Sequence, residues 1–378
     1  MLVAILIVAC VFDEEAAAGA DSSAEVDREP LLGAYVHLGR LFSGLKTSAE
    51  REEAIAMALD RMRSSGLNTV MPYVTLTNGK AAYPSGIISE HEYGDWDPLA
   101  VILQAARARD LKVYPVFCVL ACGHDEPAGI LRTHPEWALR RPDGAPMGHI
   151  CPANPDARDW VTSVICELVA EYEVDGVLLD YLRYYNRPTL LDAASEVAFE
   201  QYRAEHPGAA VDELNQQFRE RELTELARQI SAGVRGIRPG IRIAIYSWGP
   251  HVARNHRVAQ AWPEWSRAGY VDIVNISGYC YPDNYGDAYL DVFRKRIGDA
   301  VALNEQQDGR AAITFCLGVS TSHGRIESAS WVEDYLARAA DARASGVAFF
   351  TWSTLQPFLD EVDEVGYVSQ FAERVGRR

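Results

Sequence analysis

A carboxylic acid does acid–base or nucleophilic work only where a fold holds it at a cleft, and one acid of this sequence carries the marks of that placement. It lies in the stretch Cys151–Tyr185, CPANPDARDWVTSVICELVAEYEVDGVLLDYLRYY. Pro155, the acids Asp156 and Asp159, and Val161, Val164, Ile165, Leu168 and Val169 at helical spacing predict a helix. Asp175-Gly176 turns the chain into Val177-Leu178-Leu179, a short apolar run of the kind found in parallel strands buried on both faces. That strand ends in Asp180, and Tyr181, Arg183, Tyr184 and Tyr185 follow. Burying a carboxylate unpaired is costly. At the carboxyl end of a parallel strand it faces the cleft where such folds bind ligands. The competing reading is structural: an Asp180–Arg183 ion pair that ties down a loop. In the chemical reading Arg183 orients Asp180 and keeps it ionised.

Two carboxyl groups across one bond hydrolyse glycosides, at about 5–5.5 Å for retention or about 6.5–9.5 Å for inversion. For the second acid the sequence offers Asp125 after strand three and Asp283 after strand six, each close behind a strand end. Glu90, Glu92 and Asp95 in the long second loop are weaker candidates. Asp175 and Asp272 precede their strands and fall on the stability face. An aromatic set near strand ends suits a sugar cleft, since ring faces stack on apolar sugar faces: Tyr35, Tyr73, Tyr181, Tyr184, Tyr246, Trp248, Tyr279, Tyr281 and Trp352. Trp248 and Trp352 each directly end a strand and so look least like core filling. His37 at the end of strand one and His124 after strand three are placed to hydrogen-bond a hydroxyl or a departing oxygen. Neither belongs to a metal-ligand pattern, and the CVLAC spacing of Cys118 and Cys122 lacks further ligands, so no metal is expected.

The elements that must hold these residues alternate. Strands are predicted over 31–38, 67–75, 112–120, 177–179, 241–248, 271–279, 311–319 and 347–352. Helices are predicted from Ser48 to Gly66 and over 97–109, 155–169, 213–236, 262–268, 287–304, 329–344 and 362–375, with 186–212 an irregular excursion. Eight apolar strands alternating with helices predict a (β/α)8 TIM barrel with enlarged βα loops, as one domain over 29–378. A doubly wound sheet is disfavoured because no G-x-G-x-x-G or P-loop follows any strand, and no cofactor is expected.

Composition sets outer bounds. The 378 residues are 48% hydrophobic and 24% charged, with a net charge of −17. That charge argues against nucleic acid or an anionic membrane surface and favours a neutral or cationic ligand. The opening MLVAILIVAC is too short to span a bilayer and reads as a signal-peptide core. Ile7-Val8-Ala9-Cys10 looks like a lipobox, which makes Cys10 the expected lipidation site and export, as a cell-envelope lipoprotein or a secreted protein, the expected destination; any membrane contact would run through that anchor. Ala-, Ser- and acid-rich residues 11–28 read as a disordered tether. Cys118 and Cys316 read as buried thiols, while Cys122 and Cys151, both in loops, are positioned to pair in an oxidising compartment.

Several phrases occur in a telling order: GLNTVMPYV with AAYPSG, DPLAVILQAARARDLKVYPVF, HPEW, PANPDARDWV, YEVDGVLLDYLRY, RPGIRIAIYSWG and WPEWSRAGYVDIVNISGYCY. Together, across roughly residues 30–355, they resemble the bacterial glycosyl-hydrolase-like family 10. The resemblance implies an exported (β/α)8 barrel acting on carbohydrate, distantly similar to the α-amylase type, in which a strand-four aspartate is the nucleophile. Asp180 holds that position. The amylase type also carries a glutamic acid at the end of strand five, whereas this chain has Tyr246-Ser247-Trp248-Gly249 there. The expected function is therefore glycoside hydrolysis of a polysaccharide or oligosaccharide with Asp180 as essential carboxylate. The alternatives are a non-catalytic carbohydrate-binding barrel at the cell surface and a different exported hydrolase built on His124 and Asp125.

Overall fold

A computed structural model describes residues 29–377. The expected signal peptide, the expected lipidation site Cys10 and the expected tether fall on residues 1–28, outside the described residues. Eight parallel strands form the centre: β1 (Leu31–Val36), β2 (Thr69–Pro72), β3 (Lys112–Val113 and Val116–Cys118), β4 (Gly176–Asp180), β5 (Arg242–Ser247), β6 (Ile273–Ser277), β7 (Ala312–Gly318) and β8 (Gly346–Phe350). The two halves of β3 close the ring. Lys112–Val113 pairs with β2, Val116–Cys118 pairs with β4, and Tyr73 bridges to Val116. The run predicted as one strand is interrupted because Pro115 has no N–H to give a ladder. Neighbouring registers, such as Ala34 beside Val70 and beside Phe349, carry the sheet around to a barrel.

Strand alternation divides the core in two. One set of side chains, including Leu31, Met71, Tyr114, Val116, Leu178, Ala244, Ile273 and Ala348, fills the barrel interior. The opposite set, including Val70, Phe117, Val177, Leu179, Ile245, Val274, Phe315 and Phe349, packs beneath the helices. Gly176 leaves room for the Tyr114 ring, since a Cβ there would lie 2.3 Å from it. Above this apolar floor sits a polar layer. The Asn275 amide donates to the Tyr35 hydroxyl at 2.9 Å, and Thr314 donates to the Asn275 carbonyl at 3.0 Å.

The outer helices are α1 (Ser48–Ser64), α2 (Pro98–Arg107), α3 (Pro155–Glu171), α4 (Val211–Ile237), α5 (Trp262–Arg267), α6 (Tyr289–Gln306), α7 (Ala329–Asp341) and α8 (Tyr367–Gly376). The cap of α1 is Thr47, one residue before the predicted start, in a capping box with Glu50. Asp97 and Asn154 cap α2 and α3, each before a proline at the first helical turn. The predicted last helix is two, Leu359–Val365 and α8, divided at Gly366 where φ is 74°. The excursion expected over 186–212 contains a helix, Ala193–Glu205, whose Asp192 cap accepts from Ala194 and Ser195 N–H. Its Phe199 meets Phe218 of α4 at 5.4 Å between ring centres, a tertiary contact that local sequence does not announce. The third loop holds an antiparallel hairpin, Ala138–Arg140 with Pro146–Ile150. Cys122 and Cys151 do not pair. Both are buried free thiols, Cys122 donating to Ala128 O at 2.9 Å and Cys151 lying 3.5 Å from the Ser195 hydroxyl.

Candidate active site

Asp180 ends β4 on the interior face and is 8% exposed. Both oxygens accept hydrogen bonds at 2.8 Å, Oδ2 from the Tyr73 hydroxyl at the end of β2 and Oδ1 from the N–H of Tyr181. Tyr181 reaches that geometry with φ at 56°, the left-handed region that a bulky residue enters only when its surroundings hold it there. These donors and the Arg183 charge favour the ionised carboxyl, but burial outweighs them and raises the Asp180 pKa above the usual carboxylate range.

Arg183 does not form the ion pair with Asp180 that the competing structural reading requires. Its guanidinium lies between two rings, 4.5 Å from the centre of Trp248 and 4.9 Å from that of Tyr181. The backbone beneath is fixed from three sides. His149 Nε2–H donates to Arg183 O at 2.9 Å, and the Gln260 amide donates to Leu182 O at 3.1 Å and Tyr246 O at 2.9 Å. Burial holds His149 neutral, with its pKa pulled down to about 3. The ends of β4 and β5 are thereby tied together by His149 and Gln260, which are not part of the cleft lining.

A cleft of about 840 Å³ opens above Asp180. His37 stacks on Tyr73, 4.5 Å between centres and 1° from parallel, and meets the edge of Phe350 at 5.6 Å. Burial, and then the Arg40 charge, pull the His37 pKa down to about 4, so the ring is neutral at neutral pH. Tyr246 and Tyr279, 6.2 Å apart, form the wall toward β5 and β6. Trp248, Arg183 and Tyr181 form the next wall, with Cys118 and Cys316 at the floor.

The other sequence candidates fall elsewhere. Tyr184 is 0% exposed and lies under the Arg219 guanidinium at 4.8 Å, packed toward the helix layer. Trp352 is buried in the helix-facing core and borders a separate groove between α1 and the segment 352–359. His124 and Asp125 are exposed in the third loop, away from the cleft lining, and Asp125 contributes its carbonyl to Arg141. Asp283 is exposed on the short helix Pro282–Tyr285, whose Asn284 and Tyr285 do border the cleft. Glu90 pairs with Arg132, Glu92 pairs with Lys80, and Asp95 is exposed. Among the described residues, Asp180 is the one carboxylate that lines the cleft. No group of described residues could hold a metal ion. Residues the sequence did not single out also line it: Ser277 and Phe350 at strand ends, His251 and His323 in following loops, and Arg296 inside α6. Strand-end position could have found the first two. Nothing local marks Arg296, because it reaches the cleft from a helix.

This is a (β/α)8 barrel: parallel strands in a ring, an acid at the end of β4, and an aromatic cleft at the carboxyl face. The chain belongs to the Glycosyl hydrolase-like 10 family, whose model matches residues 36–302. Glycosyl hydrolase DigH of Escherichia coli strain K12 is 24% identical over 288 residues, 66% of this chain and 63% of that protein. Glycosyl hydrolase YngK of Bacillus subtilis strain 168 is 25% identical over 224 residues, 54% of this chain and 41% of that protein. The chain thus spans less than two thirds of the curated relatives it matches. Its fold is similar to the glycoside hydrolase domain of PgaB (BpsB) from Bordetella bronchiseptica, with TM-score 0.68, 15% identity, and coverage of 89% of this chain and 98% of that one.

Proposed function

We propose that the protein is a glycoside hydrolase acting on a polysaccharide or oligosaccharide, with Asp180 as its essential carboxylate. The observation that carries this reading is the buried Asp180 carboxyl at the floor of an aromatic cleft, with a pKa raised by burial. A carboxyl whose pKa is raised by burial suits donation to a departing glycosidic oxygen. Family membership and the glycosidase-like fold support the same reading. In this scheme Tyr73 and the Tyr181 N–H position the acid, and His37, Tyr246, Trp248 and Tyr279 bind sugar. The test is Asp180→Asn, with folding confirmed by circular dichroism, assayed for new reducing ends on a panel of bacterial and plant polysaccharides. Turnover by the wild type and its loss in the variant are expected; equal turnover by both sinks the assignment.

The absence of a second carboxylate from the cleft lining among the described residues favours one other reading, a carbohydrate-binding barrel without catalysis. Glycan binding by the wild type with no product after prolonged incubation would select it.

A further inference from the structure

The place where an amylase-type barrel would carry its second acid is occupied by something else. At the end of β5, Trp248 and Gly249 are each covered by an arginine side chain. Arg183 lies on the Trp248 ring at 4.5 Å. On the other side the Arg296 stem covers Gly249, where a Cβ would sit 3.3 Å from the Arg296 Cγ. Gly249 has φ at 136°, a conformation that glycine alone adopts readily, and its missing Cβ lets the Arg296 stem lie against the backbone. Both arginines line the same cleft.

Neither has a carboxylate partner among the described residues. Arg296 gives its Nη1 to Ser277 O at 3.1 Å and its Nη2 to the Tyr285 hydroxyl at 2.9 Å, both neutral acceptors. The Nε of Arg183 is buried with no acceptor. A buried donor left unmade is destabilising, and most of all on a charged group. The one cleft carboxyl, Asp180, spends its oxygens on Tyr73 and the Tyr181 N–H and hydrogen-bonds neither guanidinium, although the Arg183 charge reaches it. In a chain of net charge −17, two cations without an ion-pair partner, against one carboxyl in the same cleft, are a local reversal of the overall sign. Over distances beyond about 8 Å salt screens the global charge, so the sign at the cleft floor decides what binds there.

We propose that Arg183 and Arg296 form an oxyanion subsite at the end of β5, so that the glycan taken by this cleft bears a carboxylate, sulfate or phosphate substituent. The inference rests on the glycan-cleft reading above. Guanidinium forks bind such groups through paired N–H donors. Trp248 and Tyr181 stacked on Arg183 hold its plane in place, so little side-chain entropy remains to be lost on binding. The net charge that disfavours polyanions elsewhere on the surface then acts as selection for a substituent delivered to one point.

The experiment uses the full chain and matched glycan pairs. Oligogalacturonides are compared with their carboxyl-reduced forms, heparin oligosaccharides with their desulfated forms, and a phosphorylated mannan with its dephosphorylated form. Titration calorimetry gives affinities for the wild type, Arg183→Met, Arg296→Met and the two Arg→Lys variants, each checked for folding. The expected result is that in at least one pair the anionic member binds about tenfold tighter, the equivalent of one good charge-assisted contact. Arg183→Met and Arg296→Met each erase that advantage, Arg→Lys keeps part of it, and raising the salt shrinks it in the wild type. The pair that shows the preference identifies the oxyanion. No preference in any pair, or a preference unchanged in both Met variants, overturns the subsite. The same samples are assayed for new reducing ends. Cleavage of neutral glycans without anion preference removes the subsite and leaves the hydrolase standing, whereas anion-selective binding without cleavage does the reverse.

Discussion

The hydroxyl of Tyr73 donates to Asp180 Oδ2 at 2.8 Å, joining the end of β2 to the end of β4 across the barrel mouth. This bond favours the ionised carboxyl, so it opposes the burial that raises the Asp180 pKa. Tyr73 is in turn stacked under His37. The proton affinity of the candidate acid is therefore set by an element other than the one that carries it.

Removing that hydroxyl has a signed consequence. In Tyr73→Phe the carboxylate loses a donor, and the Asp180 pKa moves further up. A proton donor works in its protonated form, so the alkaline limb of kcat/KM shifts to higher pH. A hydrogen bond to a charged group is worth about 1.5 kcal/mol or more, which corresponds to a shift of about one pH unit. The pH profile on any cleaved glycan measures it; an unmoved or lowered limb would exclude Asp180 as the group that sets it.

Stability reports on Asp180 without any substrate. Its folded-state pKa is raised, so the folded protein holds that proton more tightly than the unfolded chain. The stabilising contribution is complete below the ordinary carboxylate range and is lost as pH rises through the raised folded value. Asn at this position has no proton to lose. The thermal midpoint of Asp180→Asn minus that of the wild type should therefore grow from acidic to neutral pH. A difference that stays flat or shrinks across the series contradicts a buried carboxyl with raised pKa.

The fold was largely legible in the sequence because parallel barrel strands are buried on both faces and read as unbroken apolar runs such as Val177-Leu178-Leu179. The βα order placed Asp180, Tyr73, Tyr246 and Trp248 at one end of one barrel. What failed was the direction of side chains beyond the strand ends. There the two-residue period stops, and loop geometry decides. Tyr181 reaches the cleft and Tyr184, three residues on, turns to the helix layer. Asp125 and Asp283 follow their strands closely, yet both project to solvent. Arg296 was invisible because it comes from α6, nineteen residues past Ser277 at the end of β6, and only the packed structure brings it beside Gly249.

Two histidines should be silent near neutrality. Burial pulls His37 down to about 4 and His149 to about 3. For a base with a lowered folded-state pKa, the stability contribution is full above the ordinary histidine value of about 6.5 and is lost as pH falls toward the folded value. Ring-carbon NMR of the labelled protein should show both resonances unchanged through neutral pH, with His37 titrating only on approach to about 4. A His37 midpoint near the ordinary value would mean that the ring is solvated, and would separate it from the Tyr73 stack.

The two tryptophans that end strands in the sequence should behave as opposites. Trp248 is half-buried on the cleft wall with a guanidinium on its face. Trp352 is 2% exposed and packs in the core between the barrel and its helices. Truncating a fully buried tryptophan costs about 3–5 kcal/mol through lost burial and the cavity left behind. Trp352→Ala should thus lower the urea midpoint sharply, while any folded fraction keeps the glycan affinity of the wild type. Trp248→Ala should move the urea midpoint little, because part of its surface is already in water. It should weaken glycan binding by about tenfold, since a stacking face worth roughly 1 kcal/mol or more is lost and Arg183 is freed from its sandwich. Urea titrations and calorimetry on the two variants measure both quantities. A stable Trp352→Ala protein with impaired binding would return Trp352 to the cleft.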